Sequence, residues 1–201
     1  MLVVTLVAAA GCSRQSAPPL PATSVAETAS QTEVTGSSSS AASPTGPVTP
    51  TVGQTISVPE GPAAALPAMP PEALEMTNEG AVAFVRYWFA LANYAVATGD
   101  TGPLSLMSAP ECDTCADLVQ QIADSYASGR LVDNTWTVVN AAVTKREKNT
   151  FGVELTFDQD LGVEVNPDGV VTEIFPSVRA TVLAMPFFDG DQWLMGGIGT
   201  P

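Results

Sequence analysis

No aromatic side chain precedes Phe84 in this 201-residue chain, and that asymmetry fixes where a core can form. Ordering a backbone costs on the order of 1–2 kcal/mol per residue, which only buried apolar surface of some size can offset. The three Trp, three Tyr and seven Phe all fall at or after position 84. The sequence therefore predicts a single folded domain over residues 76–201, large enough to bury a core without a metal or cofactor to hold it together. No cofactor and no metal are expected.

Upstream, the chain has the composition of a tether. From Ser13 to Glu75 it is dominated by Ser, Thr, Ala, Pro and Gly, with the run Ser37-Ser38-Ser39-Ser40 and the prolines Pro18, Pro19, Pro44, Pro47 and Pro50. Such a stretch buries too little to order itself, so residues 12–75 are expected to be disordered, with local polyproline stiffness and a positioning role. Ahead of it, Leu2 to Ala10 is an apolar run too short to span a bilayer, ending in Ala9-Ala10-Gly11-Cys12. That ending resembles the lipobox of bacterial lipoproteins, with Ala9 where the motif usually has Leu and no Lys or Arg ahead of the run. The resemblance implies a signal peptide over residues 1–11, cleavage before Cys12, diacylation of Cys12, and anchorage by that lipid to the outer face of the cell membrane.

Seven Lys and Arg stand against 21 Asp and Glu, a formal net charge of -14. A surface of that sign repels phosphate backbones and anionic headgroups, which argues against nucleic acid as a partner and leaves the lipid on Cys12 as the route to a membrane. The chain has no His, so a Ser-His-Asp or Cys-His centre is ruled out within it, and the commonest nitrogen ligand for metals is missing.

Within the domain the apolar period is first helical. Thr77 or Asn78 can cap a helix with Glu79 in its first turn; Ala81, Phe84, Val85, Trp88, Leu91, Ala92 and Ala95 then recur on one face, and Gly99 ends it. Asp100-Thr101-Gly102-Pro103 reads as a turn into a short helical piece, Leu104 to Ser108. Leu118, Val119, Ile122, Ala123 and Tyr126 predict another amphipathic helix that stops at Gly129. From Thr135 the period changes to two. A strand over Thr135 to Lys145, a loop over Arg146 to Thr150, and a strand with Phe151, Val153, Leu155 and Phe157 inward are expected. Pro167-Asp168-Gly169 marks a turn, and Asp189-Gly190 reads as a two-residue hairpin between Val178 to Phe188 and Asp191 to Ile198. The fold class is α+β: two or three N-terminal helices packed on a curved antiparallel sheet of four to six strands.

This order of elements resembles the cone-shaped fold of nuclear-transport-factor-2-like and polyketide-cyclase-like proteins, which implies helices closing one side of a bent sheet around a pocket. A cystatin-like topology, one long helix on a sheet, is the alternative. The segments Glu79-Gly80-Ala81-Val82-Ala83-Phe84-Val85-Arg86-Tyr87-Trp88, Thr98-Gly99-Asp100-Thr101-Gly102-Pro103-Leu104 and Cys112-Asp113-Thr114-Cys115 resemble an uncharacterised family of actinobacterial lipoproteins. That resemblance implies export and lipidation and supplies little chemistry.

Cys112 and Cys115 form a Cys-x-x-Cys at a helix start, in a chain expected to leave the cytoplasm, where thiols usually oxidise. A local disulfide is the favoured reading. A redox centre is the sharper one, since a helix N-terminus activates a thiol, but thioredoxin-like proteins place the motif after a strand, whereas here helices precede every strand. Zinc would need two further ligands that the domain does not offer.

For catalysis no residue is assigned. Glu154 and Asp158 alternate with the inward residues of their strand and are expected to face solvent; Asp100 reads as a turn residue, Asp124 as the solvated side of a helix, and Tyr126 as the remaining candidate for a pocket mouth. Trp88, Trp136, Asn140, Met185, Phe187 and Trp193 are the residues expected to line any cavity between helix and sheet. The leading functional reading is a membrane-anchored, noncatalytic domain that binds an envelope protein or a small apolar ligand. A cone-fold enzyme of the isomerase or cyclase type is the first alternative, and thiol-disulfide exchange through Cys112 and Cys115 is the second.

Overall fold

The structure, a computed structural model, describes residues 49–58 and 64–201. The expected signal peptide, Cys12 and most of the expected tether lie outside the described residues.

The domain opens with a single 3-10 turn, Pro71–Leu74, and three helices: α1 (Asn78–Thr98), α2 (Gly102–Leu106) and α3 (Asp113–Ser128). Thr77 caps α1, its side chain accepting from the Gly80 N–H at 2.9 Å, and Gly99 closes it in the left-handed conformation at φ 76°. Ala81, Phe84, Val85, Trp88, Leu91, Ala92 and Ala95 are all buried, the face that the spacing predicts. On α3 the face differs by one position. Ser125 is buried and Ala123 is exposed, because the stripe runs through Cys115, Ile122 and Ser125.

Seven strands follow: β1 (Arg130–Val132), β2 (Trp136–Glu147), β3 (Thr150–Gln159), β4 (Gly162–Val165), β5 (Val171–Phe175), β6 (Val178–Phe188) and β7 (Trp193–Gly199). They form two sheets, in the orders β2-β3-β6-β7 and β1-β4-β5, with every pairing antiparallel. The α+β class with helices packed on antiparallel sheet is thus the architecture observed. Three helices and a second sheet distinguish it from the cystatin-like alternative.

The principal core lies between α1 and the four-stranded sheet. Trp193 is its centre, ringed by Phe84, Phe151 and Phe188 at centroid distances of 6.1, 5.0 and 5.3 Å. Phe151, Val153 and Leu155 are fully buried and Phe157 is half-buried against Phe89, the inward set expected for β3; on the opposite face only Glu154 is fully exposed, Gly152 being buried and Thr156 and Asp158 half-buried.

Two turns are tighter or looser than expected. Glu147 pairs with Thr150, so the loop over Arg146 to Thr150 shrinks to Lys148 and Asn149, with Lys148 at φ 54°. Phe188 pairs with Trp193, so the expected two-residue hairpin at Asp189-Gly190 becomes a longer loop. The cause is the Asp189 carboxylate, which accepts from the N–H groups of Asp191 and Gln192, both at 2.9 Å, and so builds its own turn.

The domain also begins earlier than position 76. Ala73 is buried, and the Trp193 indole donates to the Glu75 carbonyl at 3.3 Å. Further upstream, residues 51–58 run along the β5 end of the small sheet. Gly53 N–H donates to the Val171 carbonyl, Val171 N–H to the Gln54 carbonyl, and Ile56 N–H to the Gly169 carbonyl, at 2.8, 2.8 and 2.9 Å. Ile56 and Val58 pack on Val163, Val165 and Val171. The polar composition around them conceals these two apolar side chains, spaced two apart as a strand requires.

Candidate functional site

A cavity of about 240 Å³ sits where the C-terminal half of α1, the middle of α3 and the small sheet meet the first residues of β2. Its apolar wall is Val96, Leu118, Ile122, Leu131 and Phe175; its polar groups come from Gln121, Asn134, Trp136 and Gln159. It is large enough for several waters or one small organic molecule, and smaller than a drug-sized site.

The polar groups are held in fixed order. Gln159 Nε2 donates to Asn134 Oδ1 at 2.8 Å, and the Trp136 indole N–H donates to Gln159 Oε1 at 3.2 Å. These two bonds orient the Gln159 amide unambiguously. Asn93 on α1 fixes the Trp136 backbone in turn, donating to its carbonyl and accepting from its N–H, both at 2.8 Å. Asn134 is 6% exposed, and among the described residues no buried side-chain nitrogen or oxygen is without a hydrogen-bond partner. The cavity lining therefore offers neutral amides and an indole on an apolar floor, with no carboxylate, ammonium, guanidinium or phenol.

Of the six residues expected to line a cavity, Trp136 alone does so. Trp88 and Trp193 are each 1% exposed and fill the core, with Trp88 donating to Ser108 Oγ at 3.0 Å. Asn140 is exposed, against expectation. A bulge between Val138 and Asn140 inserts a residue into β2, so strict alternation from Trp136 and Val138 fails and Asn140 and Ala142 turn outward. Met185 is 41% exposed because the period of two on β6 turns it outward between buried Ala184 and Pro186. Phe187 neighbours Phe188 on β6 but faces the other side of the sheet, against Gly196.

Asn134, Gln159, Gln121 and Phe175 were not legible as site residues. Asn134 lies in the short link between β1 and β2, Gln159 at the end of a strand, and Phe175 on a strand too short to show a period.

Cys112 and Cys115 are joined in a disulfide at the N-terminus of α3, and each is 1% exposed. Cys112 Sγ also accepts from the Cys115 N–H at 3.3 Å and so caps the helix. Tyr126 does not reach the cavity. Its hydroxyl donates to the Val96 carbonyl at 2.6 Å, and burial raises its pKa against a smaller lowering by Arg130. Asp100 is a turn residue, accepting from the Gly102 N–H at 3.0 Å and from the Tyr94 hydroxyl at 3.3 Å. Asp124 is exposed and accepts from Gln120 at 2.7 Å. Asp158 pairs with Arg179 across β3 and β6; the hydrogen bond from that guanidinium holds its carboxyl below the usual range. Among the described residues no helix is long and apolar enough to cross a membrane.

Helices on antiparallel sheet, enclosing at one end a small uncharged cavity, define an α+β domain whose site is chemically neutral. The chain belongs to the family of unknown function DUF6318, whose model matches residues 59–195. None of the curated proteins matches it. Among the solved structures that are similar are two from Xanthomonas campestris. One is described as a calcium/calmodulin-dependent protein kinase II association domain, with 12% identity over 71% of this chain and 95% of that one, at a TM-score of 0.40. The other, described as a polyketide cyclase, has 13% identity over 61% of this chain and 89% of that one, at a TM-score of 0.35.

Proposed function

We propose that this domain is a noncatalytic binding module, displayed at the outer face of the cell membrane by lipid on Cys12, that receives a small uncharged or apolar moiety in the cavity beside Trp136. The observation that carries the reading is the cavity lining itself. Apolar side chains and oriented amides can hold and select a ligand, but they supply no group that takes or gives a proton near neutral pH.

Two further features support binding over chemistry. A cone-fold acid catalyst needs a carboxyl raised by burial, whereas Glu147, Asp158 and Asp189 are all held below the ordinary carboxylate range, Glu147 and Asp189 at exposed positions and Asp158 at a half-exposed one. The thiol-exchange alternative requires an attackable sulfur, and both sulfurs of the Cys112–Cys115 bond are buried.

Mass spectrometry of the full chain purified natively from its own envelope tests this. Two results are expected: a fatty-acylated Cys12 on the mature chain, and a retained small molecule that is lost when Leu131→Phe fills the cavity. A chain free of fatty acid would overturn the anchoring, and identical spectra from the wild type and the filled variant would overturn the cavity as a binding site.

A further inference from the structure

Strand β7 ends the four-stranded sheet and carries no protection of its own. From Trp193 to Gly199 it has no charged residue and no proline, and Gly196, Gly197 and Gly199 offer no side chain to obstruct an approach. The N–H and C=O groups of such an edge are a template for another strand. The opposite edge, β2, is guarded differently. It carries Lys145, Arg146 and Glu147, and α1 reaches its backbone through Asn93 and through Arg86, which donates to the Val138 carbonyl at 3.1 Å.

β7 is covered instead by the link between α2 and α3. Met195 N–H donates to the Met107 carbonyl and Ala109 N–H donates to the Met195 carbonyl, both at 2.9 Å, which makes a parallel bridge of Ser108 and Met195. Further along, Ile198 N–H donates to the Thr114 hydroxyl at 3.2 Å. A bulge permits this spacing. Pro186 pairs with Met195 and Ala184 with Ile198, so Gly196 and Gly197 both stand opposite Met185, and the N–H groups of Met195 and Ile198 reach the same outer edge.

The Cys112–Cys115 bond joins the two ends of this cover. Thr114 lies inside the bridged loop, with its hydroxyl 3.6 Å from Cys112 Sγ. At the other end, Cys112 N–H donates to the Ala109 carbonyl at 3.0 Å, which fixes the residue that binds Met195.

We infer that the disulfide is an edge lock: it holds residues 107–115 on β7 and so keeps that strand from pairing with β7 of a second copy of the chain. A second copy is the partner a bare β7 fits, because an antiparallel pair about a two-fold axis asks only that each strand offer the other the same donors and acceptors. The uncharged strand places no like charges opposite each other in that pair. The lock is independent of the cavity and of its ligand.

Hydrogen exchange and sedimentation of the full chain test it. In Cys112→Ser/Cys115→Ser, exchange at Met195 and Ile198 is expected to rise at least about tenfold more than at Leu155, which is paired on both sides within the sheet and reports global opening. The double variant is also expected to self-associate as concentration rises, where the wild type does not. Adding Gly199→Lys is expected to abolish that association, since a Cβ there meets nothing within 4 Å and a lysine on the strand opposes edge pairing. Thr114→Val keeps the disulfide and removes one acceptor, so faster exchange is expected at Ile198 and not at Met195. Exchange at Met195 and Ile198 that rises only in step with Leu155 would overturn the lock, as would an Ile198 amide unmoved by Thr114→Val. So would a double variant that stays as monomeric as the wild type, or one that associates equally well with Gly199→Lys added.

Discussion

Asn93 grips the backbone of Trp136 with both atoms of its side-chain amide, Nδ2 to the carbonyl and Oδ1 to the N–H, each at 2.8 Å. The two residues are 43 apart in sequence, so this clamp ties α1 to the start of β2 and sets the position of the one indole in the cavity wall. Asn93→Ala leaves two half-buried backbone groups without partners. At about 1–3 kcal/mol for each unsatisfied group, the loss is expected to be about 2–4 kcal/mol in urea unfolding. A loss well under about 1 kcal/mol would show that the strand end is held by something else.

Gly99 and Tyr126 are fitted to each other. At φ 76°, a Cβ on residue 99 would sit 2.6 Å from Tyr126 Cδ1, so Gly99→Ala suffers both the left-handed backbone penalty and a ring clash. The expected cost is about 2–4 kcal/mol. The same tyrosine carries a pH signature. Its folded pKa is raised by burial above the ordinary value near 10, so the unfolded chain releases the proton first. Stability from this group is complete below the ordinary tyrosine pKa and declines as pH rises through the window up to the folded value. Tyr126→Phe is expected to flatten the alkaline limb of the stability curve relative to wild type, and parallel curves above pH 10 would refute the assignment.

The Cys112–Cys115 bond closes a very short loop, so the chain-entropy model gives it at most about 2 kcal/mol. Cys112→Ser/Cys115→Ser is therefore expected to fold, with a lower midpoint and a loosened first turn of α3, since Cys112 Sγ also caps that helix. Buried sulfurs predict a bond that glutathione leaves intact in the native chain. A reduction potential in the range of roughly -180 to -120 mV, where known exchangers and oxidants lie, would instead mark the pair as an exchanger.

What could be read from residues alone follows from length. Helices of 21 and 16 residues repeat their apolar spacing often enough to be seen, and so do the long strands β2, β3 and β6. The small sheet escaped because β1, β4 and β5 have 3, 4 and 5 residues, too few for a period. The cavity escaped with it, since Leu131 and Phe175 come from that sheet and Asn134 from the link beside it. Asn140 was misplaced by a bulge, which no composition announces and which shifts every following side chain to the other face; Met185 simply lies on the outer face between buried Ala184 and Pro186.

The same blindness to short pairing explains residues 51–58, which have a tether's composition and an edge strand's bonding. Thr55 and Val170 form an antiparallel bridge, flanked by the hydrogen bonds of Gly53, Gln54 and Ile56 to the β5 end. Without this strap, Val171 would present an unpaired N–H, and Val163, Val165 and Val171 would lose the cover of Ile56 and Val58. In the full chain, Ile56→Pro deletes the donor to Gly169 and strands that carbonyl, at an expected cost of about 1–2 kcal/mol. Hydrogen exchange gives the sharper readout. The amides of Gly53, Ile56 and Val171 are expected to be protected in the wild type, and protection at Val171 is expected to fall in the Ile56→Pro chain. Fast exchange at Gly53 and Ile56 in the unaltered protein would mean that the segment does not stay on the sheet edge in solution.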